Sequence, residues 1–404
     1  MRKERILHLL TSQFKLRSIV IVITGRVAWL PGRIDRSSKR PAPACAIHRW
    51  QLPRYHPPYL LLACCVLLLT CINTTVSAGV VLLYHHVDKS TPSLTSISPA
   101  QFKRHLEVLE EENFSVVPLD QLVSSSMLTD ATVKEVAITF DDAYSSIYTT
   151  AFPLLKAKGW PFTIFVATAY IGRPNSHYMT WEHLNEMAKN GATIANHTRN
   201  HEHLIRYRLN ETDAMWEKRM ISELQMTSDI LSDHGHQSKL FAYPYGEYNL
   251  SLLRIVKKLG LIAFGQQSGA IGPASNRQLL PRFPLAGVYV GESAFRDKIR
   301  SLPLAIEHPE IEPLVSGNLQ PALNLTFTNK PEDAARIKCY GPGGEMTLLN
   351  ADGQVIAKPV RPIAIGRTRY NCTLPIQTAG GTRYGWFSQL WIRKEDDGTW
   401  YPEP

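Results

Sequence analysis

The sequence predicts an α/β protein, with βα units around a mostly parallel sheet or barrel, followed by a small all-β module at the C-terminal end. Two observations carry this expectation. From residue 80 to about 285, short β-rich apolar runs alternate with longer segments of helical period, the pattern of βα units around a mostly parallel sheet. After Leu302 the alternation stops, and Gly- and Pro-rich turns separate short strand patterns as far as Tyr401.

Taken in order, strands are expected at residues 80–87, 136–140, 162–167, 192–195, 240–243 and 261–264. Helices are expected between them at 99–112, 147–158, 181–190, 211–233 and 250–259. Pro303, Pro309, Pro313 and Pro321 then punctuate a poorly periodic stretch. Beyond it, Gly341-Pro-Gly-Gly344, Asn350-Ala-Asp-Gly353, Gly380-Gly381 and Asp396-Asp-Gly398 mark turns. The expected organisation is a leader at 1–78, a barrel domain at 79–305, a linker at 306–322 and a β-rich domain at 323–404. No internal repeat or low-complexity tract interrupts it.

With 44% apolar and 20% charged residues among 404, the chain has the composition of a globular protein. Its formal charge of +9 would point to nucleic acid or an anionic membrane if it were spread over the surface. It is not spread: residues 1–58 hold 12 Lys+Arg against 2 Asp+Glu, leaving 32 against 33 for the rest. Nucleic acid is therefore not an expected partner. Residues 59–72 form an uncharged apolar run after this basic stretch, and Val76-Ser-Ala78 gives a small-x-small cleavage pattern before Gly79. That is the grammar of a signal peptide, too short to span a bilayer comfortably. Export to a periplasmic or extracellular site follows, with membrane contact only through an uncleaved signal or a lipid on Cys64, which ends the lipoprotein-like Leu61-Leu-Ala-Cys64. Four of the six cysteines lie in this leader, so Cys339 and Cys372 are the one pair available for a disulfide in an exported product.

The chemistry-bearing residues sit at the carboxyl ends of the expected strands, where α/β sheets gather their sites. Thr139-Phe-Asp-Asp142 ends one strand with adjacent carboxylates, which point to opposite faces in a strand but can converge on a turn. Alone, the pair also fits a turn or a helix cap. His197-Thr-Arg-Asn-His201 follows another strand and spaces two imidazoles at i and i+4, on one face if the segment is a helical turn. Two His and one carboxylate can hold a divalent cation with positions left open, and a second carboxylate beside the first can act as a base. His183 and His203 read as ordinary surface or loop histidines.

Together with Phe241-Ala-Tyr-Pro-Tyr-Gly246, these runs resemble the first three motifs of the polysaccharide deacetylases, carbohydrate esterase family four with its NodB-homology domain, in the family's order and approximate spacing. The likeness covers about residues 80–285 and implies a distorted (β/α) barrel of NodB-homology type. Within the family the chain is most similar to the poly-β-1,6-N-acetylglucosamine N-deacetylases, through Tyr84-His85 and Pro244-Tyr-Gly-Glu247. The resemblance implies Asp142, His197 and His201 as metal ligands, Asp141 as general base, and the backbone N–H of Tyr245, after Pro244, as an oxyanion donor. It implies His85 as general acid, because the late His that serves the wider family is missing from Leu279-Leu-Pro-Arg-Phe283. It also exposes a gap at Ala242, where the wider family has the Arg that buttresses the base. His86 would face away from His85 if the strand ran on. Trp181, with Tyr144, Tyr243 and Tyr245, is a candidate for stacking on sugar rings or for plain packing.

The expected activity is hydrolysis of N-acetyl groups from an N-acetylglucosamine-containing polysaccharide, releasing acetate, with a divalent metal, Zn2+ first among them. Two alternatives remain at this level: a catalytically inactive carbohydrate-binding protein, motivated by the missing Arg and His, and an esterase for O-acetylated glycans.

Overall fold

The computed structural model describes residues 78–403, apart from 127–133, 175, 308–309, 329–333, 352 and 379. The expectations for the leader, the signal peptide and Cys64 lie outside the described residues.

The strands are β1 (Gly79–Tyr84), β2 (His86–Val87), β3 (Ser96–Ile97), β4 (Ser115–Val116), β5 (Glu135–Asp141), β6 (Phe162–Val166), β7 (Ala192–Asn196), β8 (Leu240–Ala242), β9 (Ile262–Phe264) and β10 (Phe283–Pro284), followed by β11 (Leu302–Pro303), β12 (Leu323–Thr326), β13 (Lys338–Gly341), β14 (Gly344–Glu345), β15 (Thr347–Ala351), β16 (Gln354–Lys358), β17 (Gly366–Thr378) and β18 (Gly381–Arg393). The helices are α1 (Pro99–Glu111), α2 (Leu119–Ser126), α3 (Phe152–Lys158), α4 (Trp181–Lys189), α5 (Asp213–Asp233), α6 (Leu250–Lys258) and α7 (Glu292–Ile299).

The first sheet runs β10-β1-β5-β6-β7-β8-β9 with β4 on β5, and its pairs are parallel. It is an α/β half-barrel of the NodB type. Successive residues of one strand enter different cores: Val80, Leu82 and Tyr84 pack with Val136, Ile138 and Phe140, while Val81 packs with Ala137, Phe165, Ala195 and Ala242. Burial on both faces is why these strands read as unbroken apolar runs. The outer helices follow their caps. Ser98 and Gln101 close a capping box on α1, with Pro99 in its first turn. Thr180 and His183 do the same for α4, which gives His183 a structural task. Asn249 caps α6.

The C-terminal strands form two sheets, β11-β18-β17-β13-β14 and β12-β16-β15. Cys339 and Cys372 face each other in the β13–β17 register and are joined by a disulfide. The module has its own core, including Leu323, Ile337, Val355 and Trp391. It also shares one with the half-barrel: Leu390, Ile392 and Tyr401 lie in a cluster with Tyr243, Tyr248 and Leu252. The change of pattern near residue 302 thus separates sheets more cleanly than cores.

Three local differences from the expected elements bear on the site. The first strand stops at Tyr84, bends at His85 and resumes at His86, which pairs with β3 instead of β5. The segment 147–158 opens with a π turn, Ile147–Ala151, before α3. Helices α2 and α7 had no expectation; α2, Leu-Asp-Gln-Leu-Val-Ser-Ser-Ser, ends in weak helix formers and is held by burying Leu119, Leu122 and Val123.

Candidate active site

Asp141 closes β5, and the chain leaves it through two left-handed residues, Asp142 (φ 71°) and Ala143 (φ 61°). This turn ends the strand alternation, so the adjacent carboxylates serve one site. Asp141 is fully buried, and Arg282 grips it with two parallel bonds, Nη1 to Oδ1 at 2.7 Å and Nη2 to Oδ2 at 2.8 Å. Arg282 is itself fully buried and donates from Nε to the Gly265 carbonyl. Burial alone would raise the Asp141 pKa; the charges of Arg282 and His197 outweigh it and hold the carboxyl below the usual range. Arg282 therefore buttresses Asp141, a contact that Ala242 cannot make. Its one sequence signal is a lone charge in the apolar run Leu279-Leu-Pro-Arg-Phe-Pro-Leu285, where a buried guanidinium needs a carboxylate.

His197 and His201 reach Asp142 from the loop after β7. The His197 Nδ1–H donates to the Ala242 carbonyl at 2.8 Å, which leaves Nε2 facing Asp142 Oδ1 at 3.4 Å. His201 Nε2 lies 3.3 Å from the same oxygen. The two rings do not share a helical turn. Thr198 (φ 66°) and His201 (φ 54°) are left-handed, and the buried Asn196 holds the loop by accepting from the Thr198 N–H while its amide donates to Leu224 and Ser228. The His201 N–H in turn donates to the Thr198 hydroxyl. A non-Gly residue in this region costs on the order of 1–3 kcal/mol, tolerated where surrounding bonds fix it.

The ligand atoms of Asp142, His197 and His201 lie within 4.8 Å of one another, so the three can hold a metal ion. Burial lowers the His201 pKa to about 4, leaving its lone pair available near neutrality. Burial also lowers that of His197, but Asp141 and Asp142 reverse this and the net direction is up, as for an imidazole placed where positive charge is favoured. One carboxylate and two oriented imidazoles suit a borderline-soft divalent cation.

His85, half-buried on the bend after β1, acts electrostatically on Asp141, Asp142 and His201 and so stands at the site. His86 is not turned away to a remote face. The bend cancels the alternation on which that expectation rested, and the His86 ring stacks on Tyr144 at 3.6 Å between centroids while sensing Asp142. Burial keeps it neutral, its pKa lowered to about 4.

Tyr245 occupies the turn Pro244–Gly246 with φ 59°. The amides of Gly246 and Glu247 close this turn onto the carbonyls of Tyr243 and Pro244, bonds in which the Tyr245 amide takes no part. A side chain at Gly246 (φ 68°) would meet Gln266 at 2.8 Å, so only glycine fits. The Tyr245 ring meets His201 edge-on at 4.5 Å. Trp181 is engaged elsewhere: on α4, its ring lies flat on His234 at 3.6 Å, where α5 ends. Tyr243 is buried and donates its hydroxyl to the Gln278 carbonyl.

Residues 129–264, which carry most of this half-barrel and this site, match the family described as polysaccharide deacetylase. Among curated proteins, the chain is 29% identical over 184 residues to a putative polysaccharide deacetylase, YxkH, of Bacillus subtilis, covering 45% of this chain and 61% of that protein. It is 28% identical over 211 residues to the poly-β-1,6-N-acetyl-D-glucosamine N-deacetylase of Staphylococcus aureus, covering 51% of this chain and 71% of that one. A solved Streptococcus pyogenes deacetylase, PplD, in complex with acetate superposes with a TM-score of 0.50 at 21% identity, covering 56% of this chain and 99% of that one; this supports the fold.

Proposed function

We propose that the chain is an exported, metal-dependent N-deacetylase of an N-acetylglucosamine-containing polysaccharide. The observation that carries this is the meeting of Asp141 and Asp142 with His197, His201 and Arg282 at the strand ends of a deacetylase fold. The similarity to the Staphylococcus aureus enzyme supports the substrate class. The disulfide between Cys339 and Cys372 supports an oxidising compartment.

Asp142, His197 and His201 would hold the cation, with Zn2+ our choice from the donor set. A divalent ion there supplies Lewis-acid polarisation and makes a neutral-pH nucleophile accessible from water. The residues of the chain do the rest. Asp141, ionised by its ion pair with Arg282, accepts a proton from the attacking water; both of its oxygens keep lone-pair capacity beyond the bonds from Arg282. The Tyr245 backbone N–H donates to the oxygen that gains charge as the acetyl carbon becomes tetrahedral. His85 protonates the departing amine, without which the amide would re-form.

The binding-only alternative loses one motive, since Arg282 supplies the missing buttress. Acetate release from β-1,6-linked N-acetylglucosamine oligomers, with and without a chelator, tests the proposal. Chelator-sensitive release is expected. Sugar binding without acetate would favour the inactive scaffold, and faster release from O-acetylated glycans would favour the esterase.

A further inference from the structure

The C-terminal β module reaches the Tyr245 turn through a set of charged and aromatic side chains gathered around the buried Glu247. Glu247, two residues past Tyr245, is 1% exposed and accepts three bonds: from His203 Nδ1 at 2.8 Å, from Arg367 Nη1 at 2.8 Å and from the Tyr401 hydroxyl. Arg367 lies on β17 and Tyr401 in the C-terminal tail, so two of the three donors come from the module. Arg367 also binds Glu403 with both terminal nitrogens, at 2.5 and 2.9 Å. Its guanidinium carbon stands over the Tyr245 ring at 5.1 Å, and His203 stacks on that ring at 4.0 Å and 7°. One residue pair further along β17, Arg369 donates to Gln266, the side chain that backs Gly246.

His203, Glu247 and Glu403 are close enough to hold a cation. The Arg367 guanidinium already bridges both carboxylates, so the positive charge at this place is built into the chain. A planar fork satisfying two carboxylates while resting on an aromatic face is a rigid arrangement that Lys cannot copy. It brackets a turn whose central residue is held in a left-handed conformation.

We propose that the β module is a positioning element for the candidate oxyanion turn and that Arg367 is the positioning residue through which it acts. Arg367 touches neither the three candidate metal ligands nor Asp141; it fixes Tyr245 and Glu247, and so fixes where the Tyr245 N–H points. This rests on the oxyanion role given to that amide. A displacement of about 1 Å at such a group costs on the order of 100-fold in rate.

The test uses the mature full chain. Arg367→Ala should lower kcat about 10- to 100-fold, with KM and metal content near wild type, while the thermal midpoint falls because the buried Glu247 loses its guanidinium partner. Added guanidinium ion at millimolar, non-denaturing concentration should restore part of kcat by refilling the vacated position, a response that general loosening of the fold would not give. Near-normal kcat, loss of metal along with activity, or a deficit that guanidinium leaves unrepaired would each overturn the inference. If Arg367→Ala does not fold, the double variant Tyr401→Phe, Glu403→Gln, which keeps the Arg367–Glu247 bond, should show a smaller kcat loss at unchanged KM; unchanged kcat would overturn it. A wild type that releases no acetate in the presence of metal would instead sink the proposed function, which separates the two failures.

Discussion

Arg282 and Asp141 are each fully buried and paired, and removing one partner of such a pair leaves a charge without compensation, typically at a cost of about 3–5 kcal/mol. Arg282→Met should therefore be destabilised and nearly inactive. Its residual activity carries a sharper signature. In the wild type the arginine is the largest of the charges that outweigh burial and keep the Asp141 pKa low. Without it burial dominates, the pKa rises, and the acid limb of the pH–rate profile should move to higher pH. An unmoved limb would mean that Arg282 does not set the state of the base. His85→Ala should lower kcat by about 10²–10⁴ with metal content near wild type. Since the bend at His85 leaves His86 stacked on Tyr144 beside Asp142, His86→Ala should also cost activity, by a smaller factor. A larger loss in His86→Ala than in His85→Ala would reverse the assignment of the donor. Asp141, Asp142, His197 and His201 were legible because each motif is contiguous and ends a strand. Arg282 was not: its partner is 141 residues away, and a single arginine carries no pattern. His203 read as bland because Glu403 and Arg367, which give it meaning, lie in another sheet and in the tail.

At the scale of elements, periodicity located six strands and five helices of the half-barrel to within a few residues, because burial on both faces gives a continuous apolar signal, but it gave no sign of α2, α7 or the two-residue strands β4 and β10. It failed where one residue redirects the chain. The bend at His85 and the left-handed Thr198 and His201 leave no trace in hydrophobic pattern, so the i, i+4 spacing suggested a helical turn where a strained loop brings the rings together. Helix α1 illustrates a buried titration. His105 is 1% exposed, bonded to the Tyr84 hydroxyl and the Val290 carbonyl and stacked on Phe295, and burial lowers its pKa to about 4. The unfolded chain binds that proton near its ordinary pKa of about 6.5, and stability rises with pH wherever the unfolded state holds more protons. The His105 contribution is thus complete above about pH 6.5 and falls as pH drops toward 4, by on the order of 3 kcal/mol. Urea midpoints measured across that window should fall on acidification in the wild type and fall less in His105→Gln; parallel curves would contradict this. In the module, the disulfide spans 33 residues, and its loss should lower stability by about 3–4 kcal/mol on chain-entropy grounds, readable as a lower denaturant midpoint in Cys339→Ala, Cys372→Ala.

At the scale of the whole molecule, the sequence signalled a β module after residue 302 but not its attachment, because shared cores are written in residues far apart. Leu390, Ile392 and Tyr401 close one face of the half-barrel beside Tyr243 and Leu252. Our proposal that the catalytic domain ends near 305 therefore predicts a soluble but weakened 79–305 fragment with reduced turnover, and an insoluble fragment would make the module integral to the fold. The half-barrel, the module and the Arg367 network all serve one claim, that Asp142, His197 and His201 form the metal centre of a deacetylase. Metal content and acetate release, measured together on purified full-length His197→Ala, His201→Ala beside the wild type, test it most directly. Loss of both with the circular dichroism spectrum retained is the expected result; full stoichiometric metal, or undiminished acetate release, in the double variant would contradict it.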